Sequence, residues 1–584
     1  MEEYDCVVIG AGWYGLAAAK QFHCTQPEKS LAIFDSQASL GGTWADERLY
    51  PGLKTNNLLG TLEYPDFPMD TATFGVEPGQ YIPGSVVNRY LKAYAEEFGI
   101  ADRIRLHIKV RSAEHHDDKT GGWTLSMSVR DADGPTTSVK ARRLIIATGL
   151  TSDPFLPHFE GQENYGGKIF HGKYFKQNSD TLHTAKNVTV FGGTKFAWDA
   201  VYAYATAGVT VDWVIRSSGH GPCWIAPSYV TPFKKWIEKL ANTRFLTWFS
   251  PCIWGWADGY SPIRQLLHGT FLGRAIVDAF WKILGNDALT LMKFDSHPET
   301  AKLKPWTEAM FTGASFSILN YDTDFLELVR SGKVRVHISD ITKLSPGKVH
   351  LSDANILDSD VLLANTGWKH VPALKFLPEG IEKELGLPHT PTEHGLQEPS
   401  PRLRKQPVWN KHYVPITEQK GIDSDDAVTP CAPLTPYMLH HFVVPPAARF
   451  LRHRDVVFAG VISNFSNAIT ANLQGLWISA YFAGALARDP MAADGPLEEL
   501  RYRTVLYNRF GHWRYPTDWG NKNPNFIFDA VPYLDLLLRD LGLAVHRKSG
   551  FLAEWTDPYG PEDYRGVNEE WHSKLSLNRA HIPI

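Results

Sequence analysis

Two glycine turns follow apolar runs 182 positions apart: Gly10-Ala11-Gly12-Trp13-Tyr14-Gly15 after Cys6-Val7-Val8-Ile9, and Gly192-Gly193-Thr194 after Val188-Thr189-Val190-Phe191. An apolar run, a glycine turn and a helix-forming stretch in that order predict the βα corner of a Rossmann unit, where bare backbone and a helix N-terminus meet a pyrophosphate. Two such corners predict an α/β chain with two Rossmann-like dinucleotide-binding domains. The first turn is intact and the second is eroded. In the Gly-x-Gly-x-x-Gly/Ala frame Gly192 and Ala197 fit, but Thr194 holds the middle position. That middle glycine lets backbone approach the pyrophosphate, so a Cβ and hydroxyl there must either bond the phosphates or hold them farther out.

The run Leu31-Ala32-Ile33-Phe34 ends at Asp35, the place from which an acidic residue about 20 positions beyond the glycines reaches an adenosine ribose. In the second unit, Val211–Ile215 ends at Arg216, whose guanidinium suits a 2′-phosphate and favours NADPH over NADH. Buried-type strands stopping at glycines recur at Arg143–Gly149, Val361–Gly367 and Val456–Gly460, and Pro154 and Pro157 mark a linker. The expected organisation is a discontinuous first domain, 1–160 with 330–490, and a second domain at 161–329 carrying a helical and aromatic insert at about 222–316. Residues 388–446, rich in proline and polar residues, read as a lid-like loop. The C-terminal extension, 491–584, has many aromatics and carries no motif.

At 584 residues the chain has room for two or three domains, and 59 Lys+Arg against 63 Asp+Glu give no basic surplus for nucleic acid. Small molecules are the expected partners. The five cysteines have no paired spacing for a metal or a redox disulfide. The first strand begins within ten residues of the start, which makes a cytoplasmic location the expectation. Phe245–Trp256, preceded by Lys234, Lys235, Lys239 and Arg244, has the composition of a membrane-interface patch. Lining a lipophilic channel or packing on another domain is the better reading of it.

Further motifs carry a resemblance. Gly41-Gly42-Thr43-Trp44, then Tyr50-Pro51-Gly52-Leu53-Lys54-Thr55-Asn56 and Asp66-Phe67-Pro68, precede Tyr165, Gly167, His171 and Phe175 at the spacing Phe-x-Gly-x-x-x-His-x-x-x-Phe/Tyr. With the glycine turns, these resemble the flavin-containing monooxygenases that bind two dinucleotides, in particular fungal members linked to secondary metabolism. Tyrosine stands for the first phenylalanine. The resemblance spans roughly 1–220 and 355–490 and implies FAD on Gly10, Gly12, Gly15 and Asp35, with Gly42, Thr43, Trp44, Thr55 and Asn56 beside the flavin. It adds the strand ends Thr148, Gly149, Thr366, Gly367 and Gly460 to the cofactor-binding set. It places NADPH on Gly192, Thr194 and Arg216, and gives His171 a cofactor-linked structural role. Ser463, Asn464, Asn472 and Gln474 lie around the start of a helix that in the family faces the flavin, and Asn472 is taken as a cofactor contact.

The resemblance implies that NADPH reduces FAD, that reduced flavin and O2 form a 4a-hydroperoxide, and that a bulky lipophilic molecule is oxygenated. Asn56 is the expected catalytic residue, a neutral amide able to donate to the peroxide without supplying a proton. Related Baeyer–Villiger enzymes carry aspartate at the place of Asn56, and Lys176 follows Phe175 where they carry Trp-Pro or Trp-Asp. Heteroatom oxygenation or hydroxylation is therefore favoured, with Baeyer–Villiger chemistry kept open by Tyr50-Pro51-Gly52. A flavoprotein oxidase or reductase and a cofactor-binding protein without catalysis are the other readings.

Overall fold

The computed structural model describes residues 1–129, 136–230, 234–390, 434–490, 497–515 and 523–580. The first apolar run is the strand Glu2–Ile9, flanked in parallel by Leu31–Phe34 and Thr137–Ile146. Ile104–Arg105 extends the sheet beyond Leu31–Phe34, and Val456–Phe458 joins the C-terminal half of Thr137–Ile146. Antiparallel Ile108–His115 and Trp123–Val129 widen the sheet on the other side, with Lys375–Leu377 at its edge. The helix Trp13–Thr25 lies on this sheet through Leu16, Ala17, Ala18 and Ala19, all buried. Against it packs the helix Asn467–Ala483, where a Cβ on Gly475 would come within 2.9 Å of the Ala17 carbonyl oxygen.

The second sheet is parallel throughout, in the order Lys168–His171, Val361–Ala364, Asn187–Phe191, Thr210–Ile215, Val334–Ile338. This corrects the expected return at 330. Val334–Ile338 and Val361–Ala364 belong to the second unit, and the chain rejoins the first sheet at Lys375–Leu377. A short buried strand ending in a glycine looks alike in either sheet, because apolar content reports burial and not the identity of the neighbour. The two passages between the units run side by side, Asp153–Pro154 pairing antiparallel with Trp368–Lys369.

The described residues of 224–318 form helices and two two-stranded sheets between the two units and the C-terminal extension. Residues 391–433 of the expected lid lie outside the described residues. Its C-terminal part is core, with Tyr437, Leu439, Phe442, Val443 and Val444 buried. In the aromatic segment Leu246, Trp248, Phe249 and Trp254 are buried, while Phe245 and Trp256 keep exposed edges. Trp248 meets Trp555, and Trp254 meets Phe510 and Phe526 of the extension. No helix among the described residues is long and apolar enough to cross a membrane.

Arg244, one of the basic residues flanking that segment, is fully buried and unavailable to a lipid headgroup. It donates two hydrogen bonds to Asp535, at 2.6 and 3.0 Å, a third to Glu554 and a fourth to the Val545 carbonyl. The arrangement pins the insert to the extension. Arg244→Met removes the cation and leaves two buried carboxylates facing apolar surroundings, so a loss of about 3–5 kcal/mol is expected. Thermal unfolding followed by tryptophan fluorescence would show it as a lowered midpoint, and an unchanged midpoint would remove the cluster from the stability of the seam.

Candidate functional site

The first glycine turn is shaped by close approach. Gly10 has φ +109°, and a Cβ there would lie 2.3 Å from the Ala147 carbonyl oxygen; one on Gly15 would lie 1.9 Å from the Gly10 oxygen. Gly12 caps the helix Trp13–Thr25 with no side chain over its free N–H groups. Asp35 is buried and accepts from the Ala11 and Gln37 N–H groups, at 2.7 and 2.8 Å, so its carboxylate ties the strand end to the glycine turn. The segment 41–44 lies over this turn. The Gly41 N–H donates to the Ala11 carbonyl at 2.8 Å, and a Cβ on Gly42 would stand 3.1 Å from the Gly12 Cα. Asn88 holds the Trp44 carbonyl, and the Thr43 hydroxyl meets Thr151. Thr148 and Gly149 end the neighbouring strand.

Gly460 packs against Tyr14, whose hydroxyl donates to Asn467 at the start of the helix Asn467–Ala483. Asn472 is not at that N-terminus. It is buried inside the helix contact, accepting from the Gln21 amide at 2.7 Å, which corrects its placement as a residue of the flavin-facing end. An apolar run marks a helix by its interior, and the turn that starts it, here Asn467-Ala468-Ile469, carries no distinct signal.

Asn56 lies on the strand Lys54–Leu58, is exposed, and donates from Nδ2 to the Ser317 hydroxyl of the insert at 3.0 Å. Thr55 is buried, its hydroxyl donating to the Asn57 carbonyl and accepting from the Ile82 N–H. Thr55 therefore holds the hairpin that presents Asn56. The second unit grips this hairpin elsewhere too: Asn320 donates to the Thr55 carbonyl at 2.9 Å, Tyr50 donates to Asp199 at 2.8 Å, and Asn57 donates to Glu238. Burial raises the Glu238 carboxyl to about 7, against hydrogen bonds from Thr61, Asn57 and Trp236 and the charge of Lys239.

At the second turn Gly192 has φ +130° and a Cβ would meet the Asn365 carbonyl oxygen at 2.6 Å. A Cβ on Gly193 would come within 2.4 Å of the Gly221 oxygen, because residues 219–223 fold over the turn. Thr194 caps the helix Lys195–Thr206, makes no side-chain cap bond and is exposed, so its hydroxyl faces the mouth of the turn. Arg216 follows the strand end at Ile215 and is exposed beside it. His171 ends the strand Lys168–His171 where the chain crosses between units. Its Nδ1 accepts from the Lys173 N–H at 3.1 Å, its Nε2 faces the Gly367 carbonyl at 3.0 Å, and Thr366 donates to the Phe155 carbonyl. Burial pushes the imidazole down to about 4, so it is a neutral strut.

Three residues escaped sequence reasoning. Ser317 and Glu238 have no motif, since they come from the insert and reach the hairpin only through folding. Arg48 sits between two recognised motifs. Only 8% exposed, it stacks on Trp368 at 5.3 Å and makes no hydrogen bond or ion pair with its side chain among the described residues. Burial lowers its guanidinium to about 10, with Tyr50, Glu47 and Asp35 opposing. An apolar cavity of about 20 Å³, bounded by Trp224, Trp281, Phe316, Phe465 and Phe528, begins one residue from Ser317.

The flavin-binding monooxygenase-like family matches residues 4–249. The chain is 31% identical to the FAD-dependent monooxygenase rstn6 of Aspergillus nomiae, over 97% of its own length and 98% of that protein's. It is 32% identical to an FAD-dependent monooxygenase of Pyrenophora dematioidea, over 94% and 100%. Among solved structures, cyclohexanone monooxygenase bound to cyclohexanone superposes with a TM-score of 0.59 at 15% identity, covering 98% of both chains. These matches show that the chain belongs to the flavin-binding monooxygenase-like family, in which near-full-length relatives are fungal FAD-dependent monooxygenases.

Proposed function

We propose that the chain binds FAD at the first glycine turn and NADPH at the second, and uses O2 to oxygenate a lipophilic small molecule at a heteroatom or carbon beside Asn56. The observation that carries this reading is Asn56 itself: an exposed amide on the hairpin of Lys54–Leu58 and Tyr81–Pro83, met by Ser317 of the insert. The names of the near-full-length relatives support FAD and monooxygenation.

The residues fit both cofactors. Gly10 and Gly15 let backbone pass backbone closely at the turn, and the N-terminus of the helix Trp13–Thr25, uncapped by a side chain, suits a diphosphate. Arg48, a buried guanidinium with no direct ion pair among the described residues, lies near Asp35 and suits the same diphosphate. Arg216 and Thr194 flank the second turn, where a 2′-phosphate and a diphosphate would lie. Bound FAD, reduced by NADPH, supplies the activation of O2.

The chain's own work is orientation and exclusion of water. With one Nδ2 proton directed to Ser317, Asn56 has a second N–H and its side-chain carbonyl without a partner among the described residues, available to the reacting centre. An amide donor stabilises negative charge on an oxygen without protonating it. The neutral His171 holds the crossing between the units and moves no proton at neutral pH. The aromatic cavity behind Ser317 is an apolar wall for the substrate, and its small volume means that a bulky molecule enters by displacing side chains such as Phe316 or Phe465.

Asn56→Ala is expected to retain FAD and to lower product formed per NADPH oxidised several-fold; unchanged coupling would remove Asn56 from the chemistry. Arg216→Ala should raise the KM for NADPH about ten-fold with little effect on NADH, in line with loss of a charged hydrogen bond, and equal losses for both would show that Arg216 does not read the 2′-phosphate. Arg48→Met should weaken FAD about ten-fold in a fluorescence titration of apoprotein. Undiminished affinity would place Arg48 away from the diphosphate.

A further inference from the structure

The strand Lys54–Leu58 is held at two successive residues by one body. Its pairing with Tyr81–Pro83 is irregular between Lys54 and Leu58, and two successive residues of that stretch are held by the insert: Asn56 donates to Ser317 and Asn57 donates to Glu238. Ser317 is only 3% exposed and stands on the strand Phe316–Ile318, which pairs with Trp224–Ala226. Glu238 is 6% exposed on the helix Ile237–Ala241. A third bond, from Asn320 to the Thr55 carbonyl, fixes the strand along its axis. Turning either asparagine away from the insert breaks its side-chain bond.

We propose that Ser317 and Glu238 are positioning residues, a two-point clamp from the insert that sets the course of the strand around Asn56 and the orientation of the Asn56 amide. The proposal rests on the reading of Asn56 given above. Without a fixed acceptor the amide turns about its last torsion and exchanges donor for acceptor at the reacting centre. The Ser317 hydroxyl, fixed in a sheet, holds the Nδ2 end. Glu238 acts one residue further on, through Asn57, and its bond is stronger when the carboxyl is ionised.

The environment of Glu238 gives the clamp a pH dependence. Lys239, on the same helix, and Tyr81, across on the strand Tyr81–Pro83, are the titratable groups that face it; Asn57, Thr61 and Trp236 are neutral. With the carboxyl raised to about 7, the clamp tightens as pH rises from 6 to 8. The sign for stability is opposite. A carboxyl whose folded value lies above its unfolded one destabilises the fold once pH exceeds the unfolded value, and the penalty is complete above the folded value. Glu238→Gln should therefore raise the thermal midpoint at pH 8 and leave it nearly unchanged at pH 4.

The test uses FAD-loaded full-length enzyme with NADPH and air and no organic substrate, reading hydrogen peroxide released per minute. Ser317→Ala should raise release about five- to ten-fold, the effect of one lost hydrogen bond on orientation, and Ser317→Thr, which keeps the hydroxyl, should restore it to near the parent's. In the parent, release should fall between pH 6 and 8, and Glu238→Gln should flatten that profile. Ser317→Ala behaving like the parent, Ser317→Thr behaving like Ser317→Ala, or Glu238→Gln keeping the parent's profile would each overturn the clamp. Asn56→Ala separates the two levels. If it raises release while the Ser317 and Glu238 variants do not, the clamp fails and the reading of Asn56 stands; if Asn56→Ala itself changes nothing, both fall.

Discussion

How closely backbone passes backbone at the first glycine turn determines much of this molecule. Gly15 must sit against the Gly10 carbonyl, and Gly10 against that of Ala147, so the helix Trp13–Thr25 starts directly over two parallel strands with no side chain between. Its start fixes its axis, and its small face of Ala17, Ala18 and Ala19 then admits the helix Asn467–Ala483 at the contact distance of Gly475. That second helix places Asn467 beside Tyr14 and Gly460 under the same ring. One steric constraint near the N-terminus thus positions a helix start more than 450 residues later.

The second turn obeys a different steric rule. Gly192 and Gly193 are glycines because Asn365 and Gly221 press on them, whereas position 194 opens outward. Thr194 is therefore compatible with the turn, since its side chain meets no backbone there. What it changes is the surface offered to a phosphate, a hydroxyl in place of bare amide and Cα.

Local features were legible in the sequence and spatial partnerships were not. The strands at 6–9, 31–34, 187–191 and 456–458, both glycine turns, and an insert joined to aromatic packing follow from apolar runs, turn residues and spacing. The assignment of Val334–Ile338 and Val361–Ala364 to the second sheet does not, because strand pairing is a long-range choice that a short apolar segment does not record. Arg244 shows the same limit for charge: composition suggests a basic flank facing outward, while Asp535 and Glu554, 291 and 310 residues away, make burial feasible. Ser317 and Glu238 are ordinary residue types whose meaning comes from what stands opposite, namely Asn56 and Asn57.

The polar groups buried between the insert and the extension bear on that geometry. Arg244 of the insert is held by Asp535 and Glu554 of the extension, and Arg264 pairs with Asp258 within the insert, all largely or fully buried. Apolar side chains of similar volume would give comparable or greater stability at such a seam. They would also allow it to slide, because dispersion contacts vary slowly with displacement along a surface. A bidentate guanidinium and carboxylate pair has one arrangement and loses strength within a few tenths of an ångström. The hydrogen bonds from Asn56 to Ser317 and from Asn57 to Glu238 demand the same tolerance at the other end of the insert. An insert whose far side is registered by directional bonds can meet that demand, so the buried charges of the extension and the orientation of the Asn56 amide belong to one mechanical problem.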